Sequence, residues 1–486
     1  MSQCKAPFCS FLITFLICAL LMPAVTVSAN EMTPNNVVTG IPYYPCYRTV
    51  EETYASAASL ADTYSNLAEW IDIGDSWEKA TPDGNDGYDL MVLKVTNQSS
   101  LADKAKIFIV SGLHASDLAP VELNTRFAEY LLANFGTNAD ITWMLDHTEV
   151  HLLLVANPDG RKKAETGLNW RKNTNENYCS PTSNNRGANL NRNFPFHWAN
   201  PYDKCDDNYA GPNPQSEPET YAIANYILNE FSDQRGPGDN DPAPSNATGL
   251  FIDLHSYGGY VYWPYGFDYT SIAPNNAQLK KLAYKFAYFN QYNPLQASEF
   301  PASGTSVDFS YGSQGIASFT FEVGTVSNEN CTHFETQTYP KNLQALLYAA
   351  KVARTPYITP SGPDAVNLSL SAEQTPIDQS FTLTGEINGI HYKNSSEYTE
   401  NIKAAEYSID LPPWDDAVIT YPMESADGAF DSQVELVTAT VQTHGLAFGR
   451  HTLYVRGQDQ DDTWGAVSAM FFDVDYGIYL PMIYND

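Results

Sequence analysis

Two side chains that could share a metal ion stand three residues apart in GLHASDLAP, residues 112–120. His114 and Asp117 follow the apolar run 107–110, which is typical of a buried strand. Catalytic zinc sites commonly have three protein ligands, often two histidines and a carboxylate, and keep one position for water. The stretch DLHSY offers a second histidine, His255. A turn without a metal is the alternative, because histidines at strand ends are common.

The segments that must position these residues alternate between helical patterns and continuous apolar runs. EETYASAASLADTYSNLAEWI, residues 51–71, predicts an amphipathic helix. The predicted buried strands are KIFIVSG, VHLLLVANPDG, GLFIDLHSYGG and ASFTFEVG. This order predicts an α/β domain over residues 47–356, with a mixed sheet flanked by helices. Reactive residues in such sheets lie near the carboxyl ends of strands. The candidates at such ends are His114, Asp159, His255 and Glu322.

The amino-acid composition and pattern of the chain change after residue 356. Residues 357–366 are rich in Pro, Gly and Ser and predict a linker. Short strand-like runs without a helical period follow in residues 367–475. They are QSFTLTGEI, AAEYSIDLPPW, AVITYPM, SQVELVTATV, GRHTLYVRGQD and GAVSAMFFDV. This pattern predicts an accessory β-sandwich of the immunoglobulin or fibronectin kind. Residues 476–486 form a tail that is either a last strand or a recognition segment.

The first residues predict that the protein is exported. Residues 1–29 contain an apolar run and then Val27-Ser28-Ala29, which is typical of a signal peptide and its cleavage site. Export would leave residues 30–46 as an N-terminal extension of a secreted or extracytoplasmic protein, with no membrane span after signal removal. A retained membrane anchor is the alternative. The net charge of −31 over 486 residues argues against nucleic acids and anionic membranes as partners.

Seven motifs in order carry a resemblance to a known family. They are GLHASD, NPDGR, NWRKN, NLNRNF, DLHSYGGYVYWPYG, PASGTSVDFSYGSQGI and FTFEVG, between Tyr47 and about Arg354. In these motifs the chain resembles the zinc metallocarboxypeptidases, the group that includes carboxypeptidases A, B and T. The resemblance implies one zinc ion per chain. It also implies that the protein removes C-terminal amino acids from peptides.

Carried over by position, the resemblance assigns the reacting groups. His114, Asp117 and His255 are implied as the zinc ligands. Glu322 is implied as the general base, and Arg171 as the group that polarises the carbonyl and stabilises the oxyanion. On the sequence alone, an internal salt bridge is the alternative for a carboxylate in an apolar strand.

The resemblance also assigns residues that bind the substrate. Asn191 and Arg192 match the pair that holds the terminal carboxylate, for which a guanidinium fork is well suited. Tyr257 is implied to line the neighbouring subsite. Val307 corresponds to the base of the side-chain pocket, where an apolar residue favours an apolar or aromatic terminal residue.

Two positions depart from the family pattern. The family normally has glutamate where this chain has Asp117, which is one methylene shorter, and Glu122 is a possible substitute ligand. Phe300 stands where the family usually has a mobile tyrosine that caps the substrate. Phenylalanine keeps the ring and loses the hydroxyl, so we expect weaker substrate binding.

The cysteines fit an exported chain. Cys46, Cys179, Cys205 and Cys331 remain after signal removal, and an even number predicts two disulfides with three possible connectivities. The resemblance implies that Cys179 pairs with Cys205, which leaves Cys46 with Cys331.

The sequence thus predicts a secreted zinc metallocarboxypeptidase that acts on peptide or protein C-termini. Two alternatives stay open, a cell-wall peptide hydrolase of the same fold and an impaired pseudo-peptidase that binds peptide ends. The β-sandwich could bind a carbohydrate, a cell surface or a protein, or act as a spacer.

Overall fold

The structure is a computed structural model that describes residues 40–82, 84–394 and 398–476. The predicted signal peptide, most of the N-terminal extension and nearly all of the C-terminal tail lie outside the described residues. No helix among the described residues is both long and apolar enough to cross a membrane.

Ten helices occur in the described part of the chain. They are α1 (Val50–Thr63), α2 (Trp77–Ala80), α3 (Leu118–Asn134), α4 (Ala139–His147), α5 (Pro158–Glu165), α6 (Pro218–Glu230), α7 (Asn276–Asn290), α8 (Ser306–Gln314), α9 (Cys331–His333) and α10 (Tyr339–Val352). A π-helical turn, Phe334–Thr338, joins the last two. Short 3₁₀ turns lie at Leu190–Arg192, Ala297–Glu299 and Thr359–Ser361.

The first eight strands form one mixed sheet. They are β1 (Ala68–Asp75), β2 (Asp89–Val95), β3 (Ala105–Ser111), β4 (Thr148–Leu153), β5 (Leu250–His255), β6 (Tyr260–Trp263), β7 (Asn293–Gln296) and β8 (Ala317–Glu322). Their order across the sheet is β1-β2-β4-β3-β5-β8-β6-β7. The central strands β4, β3, β5 and β8 are parallel, and β2 and β6 flank them in antiparallel pairing.

Helices cover both faces of this sheet, because successive side chains of a strand point to opposite faces. On β3, Ile107 and Ile109 belong to the core beneath α3 and α10. Phe108 and Val110 belong to a second core on the opposite face, against α6 and α8. Both cores exclude water, which explains the continuous apolar runs in the sequence. The predicted α/β fold with a mixed sheet is confirmed.

The predicted helix over residues 51–71 is correct only in its first part. Helix α1 ends at Thr63, and residues from Ala68 onward form strand β1. Trp70 of that strand pairs with Leu93 of β2. The apolar spacing of residues 64–71 fits a helix as well as a strand, and pairing with β2 decides between them.

The last eight strands form the β-sandwich. They are β9 (Asp364–Leu370), β10 (Gln374–Pro376), β11 (Ser380–Asn388), β12 (Ile402–Ile409), β13 (Thr420–Ser425), β14 (Val434–Gln442), β15 (Gly449–Asp459) and β16 (Ser468–Asp475). Strand β13 pairs with β12 at one end and with β14 at the other, so it joins two layers. Apolar residues of both layers, among them Phe381, Leu453 and Phe472, form the core between them. Six of these strands coincide with the predicted runs, and a β-sandwich follows the α/β domain as expected.

Buried polar contacts join the sandwich to the α/β domain. Lys285 of α7 is fully buried, and its Nζ lies 2.9 Å from Oδ2 of Asp364 at the start of β9. Asp140 of α4 accepts a hydrogen bond of 2.8 Å from the backbone nitrogen of Ala469 in β16. The predicted linker 357–366 therefore includes the first residues of a paired strand, and the boundary there stays a prediction.

Candidate metal centre

Three neighbouring strands place the candidate residues at one edge of the sheet. Strands β3, β5 and β8 are parallel, and each ends at the same edge. His114 lies in the turn after β3, and His255 and Glu322 are the last residues of β5 and β8. His255 and Glu322 are direct register partners, so their side chains leave the same face of the sheet.

The turn after β3 depends on Gly112, whose φ is +72°. An added Cβ at this position would lie 3.0 Å from Cγ2 of Val121. Both the positive φ and this close approach therefore favour glycine. The turn brings His114 and Asp117 against the end of β5.

Two histidines and one aspartate converge at this edge. Nδ1 of His114 lies 3.0 Å from Nδ1 of His255. Oδ2 of Asp117 lies 3.2 Å from Nδ1 of His255 and 3.4 Å from Nδ1 of His114. All three side chains are buried.

This spacing fits a zinc ion. A tetrahedral zinc site with bonds of about 2.0–2.1 Å separates its ligand atoms by roughly 3.3 Å. The three donor atoms span that separation, and they are two imidazole nitrogens and a carboxylate oxygen, which zinc accepts. The shorter aspartate thus reaches the position that a ligand requires.

Asp117 occupies the N-cap position of α3 but does not cap the helix through its side chain. Its Oδ2 instead faces His255 and accepts a hydrogen bond of 3.2 Å from the backbone nitrogen of Ser256. Burial opposes ionisation here, but hydrogen bonds with His114 and His255 outweigh it and hold the pKa of Asp117 well below its usual range. The carboxylate is therefore ionised and directed at the two histidines. A turn without a metal site would not require this orientation.

The outer nitrogens of the two histidines have partners that the sequence reasoning missed. Nε2 of His255 lies 2.8 Å from Oδ2 of Asp253. Nε2 of His114 lies 3.2 Å from Oδ1 of Asn189. Asp253 had a sequence signal, because it stands two residues before His255 in a strand and must share its face. Asn189 begins the NLNRNF motif, but its contact with His114 joins distant parts of the chain.

Glu322 is held in a partly desolvated position beside this group. Burial and the charge of Asp117 raise its pKa, the charges of His255 and Arg171 lower it, and the net result is a pKa of about 7. A carboxyl group with a pKa near neutral pH can both accept and release a proton.

Two arginines, Arg171 and Arg192, lie close enough to Glu322 for their charges to interact with it. Arg171 is attached through its backbone, because its carbonyl accepts a hydrogen bond of 3.1 Å from the nitrogen of Ala115. Burial and repulsion from Arg171 lower the pKa of Arg192 to about 10, so the guanidinium group of Arg192 stays charged at neutral pH. Two positive charges beside a buried carboxyl group favour an anionic ligand.

Asn191 makes contacts within the protein. Its Oδ1 accepts a hydrogen bond of 2.9 Å from the backbone nitrogen of Ser306. Its Nδ2 lies 3.3 Å from Oδ2 of Asp253 and 2.8 Å from Nε2 of His255. Arg192 is therefore the member of the predicted pair that supplies the charge.

The other predicted substrate residues differ in exposure. Tyr257 is 55% exposed and Phe300 is 63% exposed. The ring centroid of Phe300 lies 6.4 Å from that of Tyr260 and 6.2 Å from that of Tyr262. Val307 is only 4% exposed and packs in the core with Leu190 and Phe194 among others.

Two residues considered from the sequence are engaged elsewhere. Glu122 is buried and accepts a hydrogen bond of 2.8 Å from Nε of Arg126 and one of 3.2 Å from the nitrogen of Arg48. Asp159 accepts hydrogen bonds from Oγ of Ser76 and from the backbone nitrogen of Glu78. Neither belongs to the group of three donors around His114.

The structure contains the disulfide that the resemblance implied and the second one that remained by elimination. Cys179 is bonded to Cys205, and Cys46 is bonded to Cys331. The first closes a loop that contains Asn189 and Arg192. The second attaches the N-terminal segment to α9, soon after Glu322 in the chain.

Comparison with known families matches residues 53–345 to the zinc carboxypeptidase model, Peptidase M14. Human mast cell carboxypeptidase A is 30% identical over 295 residues, which cover 58% of this chain and 63% of that protein. Human carboxypeptidase A6 is 27% identical over 292 residues, which cover 58% of this chain and 60% of that protein. The chain thus spans just under two thirds of the length of these relatives.

Two crystal structures show the same fold. Thrombin activatable fibrinolysis inhibitor aligns with a TM-score of 0.52 and 24% identity, over 63% of this chain and 76% of that one. Carboxypeptidase A from Helicoverpa armigera aligns with a TM-score of 0.51 and 22% identity, over 63% and 73% of the two chains. At these identities the likeness shows the fold alone.

Proposed function

The chain belongs to the zinc carboxypeptidase family, and on that premise we propose that it is an exported metallocarboxypeptidase that removes C-terminal amino acids from peptides. The observation that carries the proposal is the convergence of His114, Asp117 and His255 at the sheet edge where Glu322 ends β8. The two disulfides support export, since such bonds persist in oxidising compartments.

His114, Asp117 and His255 would hold the zinc ion. When bound, zinc supplies Lewis-acid polarisation of the scissile carbonyl and makes the attacking water more acidic. The protein's own groups carry the remaining chemistry.

Glu322 would accept a proton from the attacking water and return it to the leaving amine. Its raised pKa suits this exchange, because burial makes the carboxylate a better proton acceptor than an exposed glutamate. Arg171 would donate hydrogen bonds to the oxygen on which negative charge develops.

Arg192 would pair with the terminal carboxylate of the substrate, which explains a preference for chain ends over internal bonds. Asn191 is next to Arg192 in the chain. It would bind the same carboxylate once its hydrogen bonds with Ser306 and Asp253 break. Tyr257 and Phe300 have exposed rings that would contact the substrate, and Val307 would form the apolar base of the side-chain pocket. We therefore propose an apolar or aromatic terminal residue as the preferred substrate.

The test is zinc content together with hydrolysis of two blocked dipeptides, one ending in Phe and one in Arg, on protein beginning at Asn30. We expect one zinc per chain, and release of Phe that is faster than release of Arg and is stopped by a chelator. Folded protein that binds peptide ends but cleaves neither substrate with excess zinc would favour the pseudo-peptidase. Cleavage of cell-wall peptides alone would favour the related hydrolase.

A further inference from the structure

The two ligand histidines are supported by acceptors of different charge. Oδ2 of Asp253 lies 2.8 Å from Nε2 of His255 and is a carboxylate oxygen. Oδ1 of Asn189 lies 3.2 Å from Nε2 of His114 and belongs to a neutral amide. An acceptor on the outer nitrogen fixes the tautomer of a ligand histidine and makes it more basic, and a carboxylate does so more strongly.

The surroundings of Asn189 fix which way its amide points. Its Nδ2 donates a hydrogen bond of 3.1 Å to the carbonyl oxygen of Asp207. A carbonyl can only accept, so the amide nitrogen must face Asp207 and the amide oxygen must face His114. Nε2 of His114 therefore donates to this oxygen, which leaves Nδ1, on the side of Asp117 and His255, as the atom that would bind the metal.

Oδ1 of Asn189 accepts a second hydrogen bond. Its donor is the backbone nitrogen of Asn191, at 3.1 Å. Asn191 is followed by Arg192, the residue assigned to the substrate carboxylate. Asn189 is fully buried, so water does not replace either bond.

We propose that Asn189 is a positioning residue that couples metal retention to binding of the substrate carboxylate. Its oxygen orients His114 as a ligand and holds the backbone from which Arg192 extends. This inference rests on the proposed function, because it assumes that His114 binds zinc.

The experiment compares three variants of the full chain from Asn30, measuring zinc affinity by competition with a chelator and KM with the dipeptide ending in Phe. Asn189→Ala removes the shared oxygen. Asn189→Asp keeps an oxygen of the same size there but loses the donor to Asp207. Asn193→Ala is the matched control, because Asn193 is equally buried and also holds the loop, through the carbonyls of Ala210 and Asn213.

We expect Asn189→Ala to bind zinc about 10- to 100-fold more weakly than the wild type. Its KM should rise by about 2- to 10-fold, as for one lost hydrogen bond. Asn189→Asp should retain zinc at least as tightly as the wild type, because a carboxylate now supports His114. Asn193→Ala should be less stable to heat yet keep the zinc affinity.

Three results would overturn the inference. They are wild-type zinc affinity in Asn189→Ala, equal zinc loss in Asn189→Asp, and equal zinc loss in Asn193→Ala. Each requires a wild-type protein that binds zinc and cleaves the dipeptide. Wild-type protein that binds no zinc would instead overturn the proposed function, and this inference with it.

Discussion

Oδ2 of Asp117 lies 3.2 Å from Nδ1 of His255, although the aspartate side chain is one methylene shorter than the glutamate typical of the family. The backbone accounts for this reach, since Asp117 directly precedes α3 and the nitrogen of Ser256 donates to the same oxygen. The site is therefore shaped around aspartate.

Restoring glutamate at this position should weaken the site. Asp117→Glu extends the buried side chain by about 1.5 Å into space that His114 and His255 already occupy. Overpacking of this kind costs about 1–3 kcal/mol, so we expect zinc affinity to fall by roughly tenfold to a hundredfold. Competition with a chelator measures it. Tighter zinc binding by Asp117→Glu would contradict the geometry.

Glu322→Gln should separate proton transfer from metal binding. The amide has nearly the same shape as the carboxyl group but cannot accept a proton, so we expect kcat to fall by about 10²- to 10⁴-fold. Zinc content should stay at the wild-type level, because Glu322 is not one of the three donor residues. A Glu322→Gln variant that keeps more than a tenth of the wild-type kcat would show that Glu322 is not the general base.

The sequence predicted the central sheet well because its strands are buried on both faces. Runs such as residues 107–110 allow few other interpretations. Residues 64–71 were assigned to a helix because their apolar spacing fits both periods, and only the pairing of β1 with β2 excludes the helix. The short strand β10 pairs with β16 over three residues and has too little sequence for any pattern.

The site was predictable where motifs placed a residue at a strand end. His114, Asp117 and His255 converge in the structure, and Glu322 is the last residue of the neighbouring strand, while their roles as ligands and base stay predictions. The support from Asn189 was not predictable, because a contact across 75 residues leaves no local signal. The engagement of Asn191 by Ser306 also depends on tertiary packing.

Phe300→Tyr should restore a hydrogen bond to the substrate. The ring is 63% exposed, so an added hydroxyl meets little steric resistance. One hydrogen bond is worth about 0.5–1.5 kcal/mol, which lowers KM by roughly 2- to 10-fold with little change in kcat. Steady-state kinetics on the dipeptide ending in Phe measures both. Tyr269→Phe removes a hydroxyl from another exposed ring and should leave KM unchanged, whereas an unchanged KM in Phe300→Tyr would contradict the expectation.

The β-sandwich should unfold together with the α/β domain. Lys285 is fully buried, and its Nζ lies 2.9 Å from Oδ2 of Asp364, which also lies 3.0 Å from Nδ1 of His391. Lys285→Met leaves a buried carboxylate without its main partner, so we expect the free energy of unfolding to fall by about 3–5 kcal/mol. Calorimetry of the wild type should show one cooperative transition.

Lys403→Met is the control for that change, because Lys403 forms an exposed ion pair with Asp462. Exposed pairs contribute about 0–1 kcal/mol, so its Tm should hardly move. Equal Tm values for Lys285→Met and Lys403→Met would show that the buried pair does not join the two domains.

Glu217 and Glu219 are buried together beside the segment that carries Arg171. Nδ2 of Asn173 donates to both carboxyl groups, with distances of 2.8 Å to Glu217 and 3.1 Å to Glu219. Burial, the charge of Glu217 and that of Asp159 raise the pKa of Glu219 to about 8. The two buried carboxyl groups are therefore most stable together when Glu219 carries a proton.

Stability should fall with rising pH because of Glu219. Between the ordinary pKa of 4.5 and the folded value of about 8, the folded protein keeps a proton on Glu219 that the unfolded chain releases. The contribution of Glu219 to the free energy of unfolding is complete below pH 4.5 and is lost as pH rises to about 8, at up to about 1.4 kcal/mol per pH unit.

Glu219→Gln cannot ionise, so its free energy of unfolding, measured with urea from pH 5 to 8, should fall less steeply than that of the wild type. The slope is the criterion, because the amide offers one acceptor where the carboxyl group offers two. Exposed Glu373→Gln removes the same charge and should keep the wild-type slope, and parallel slopes for all three proteins would show that Glu219 is ionised throughout.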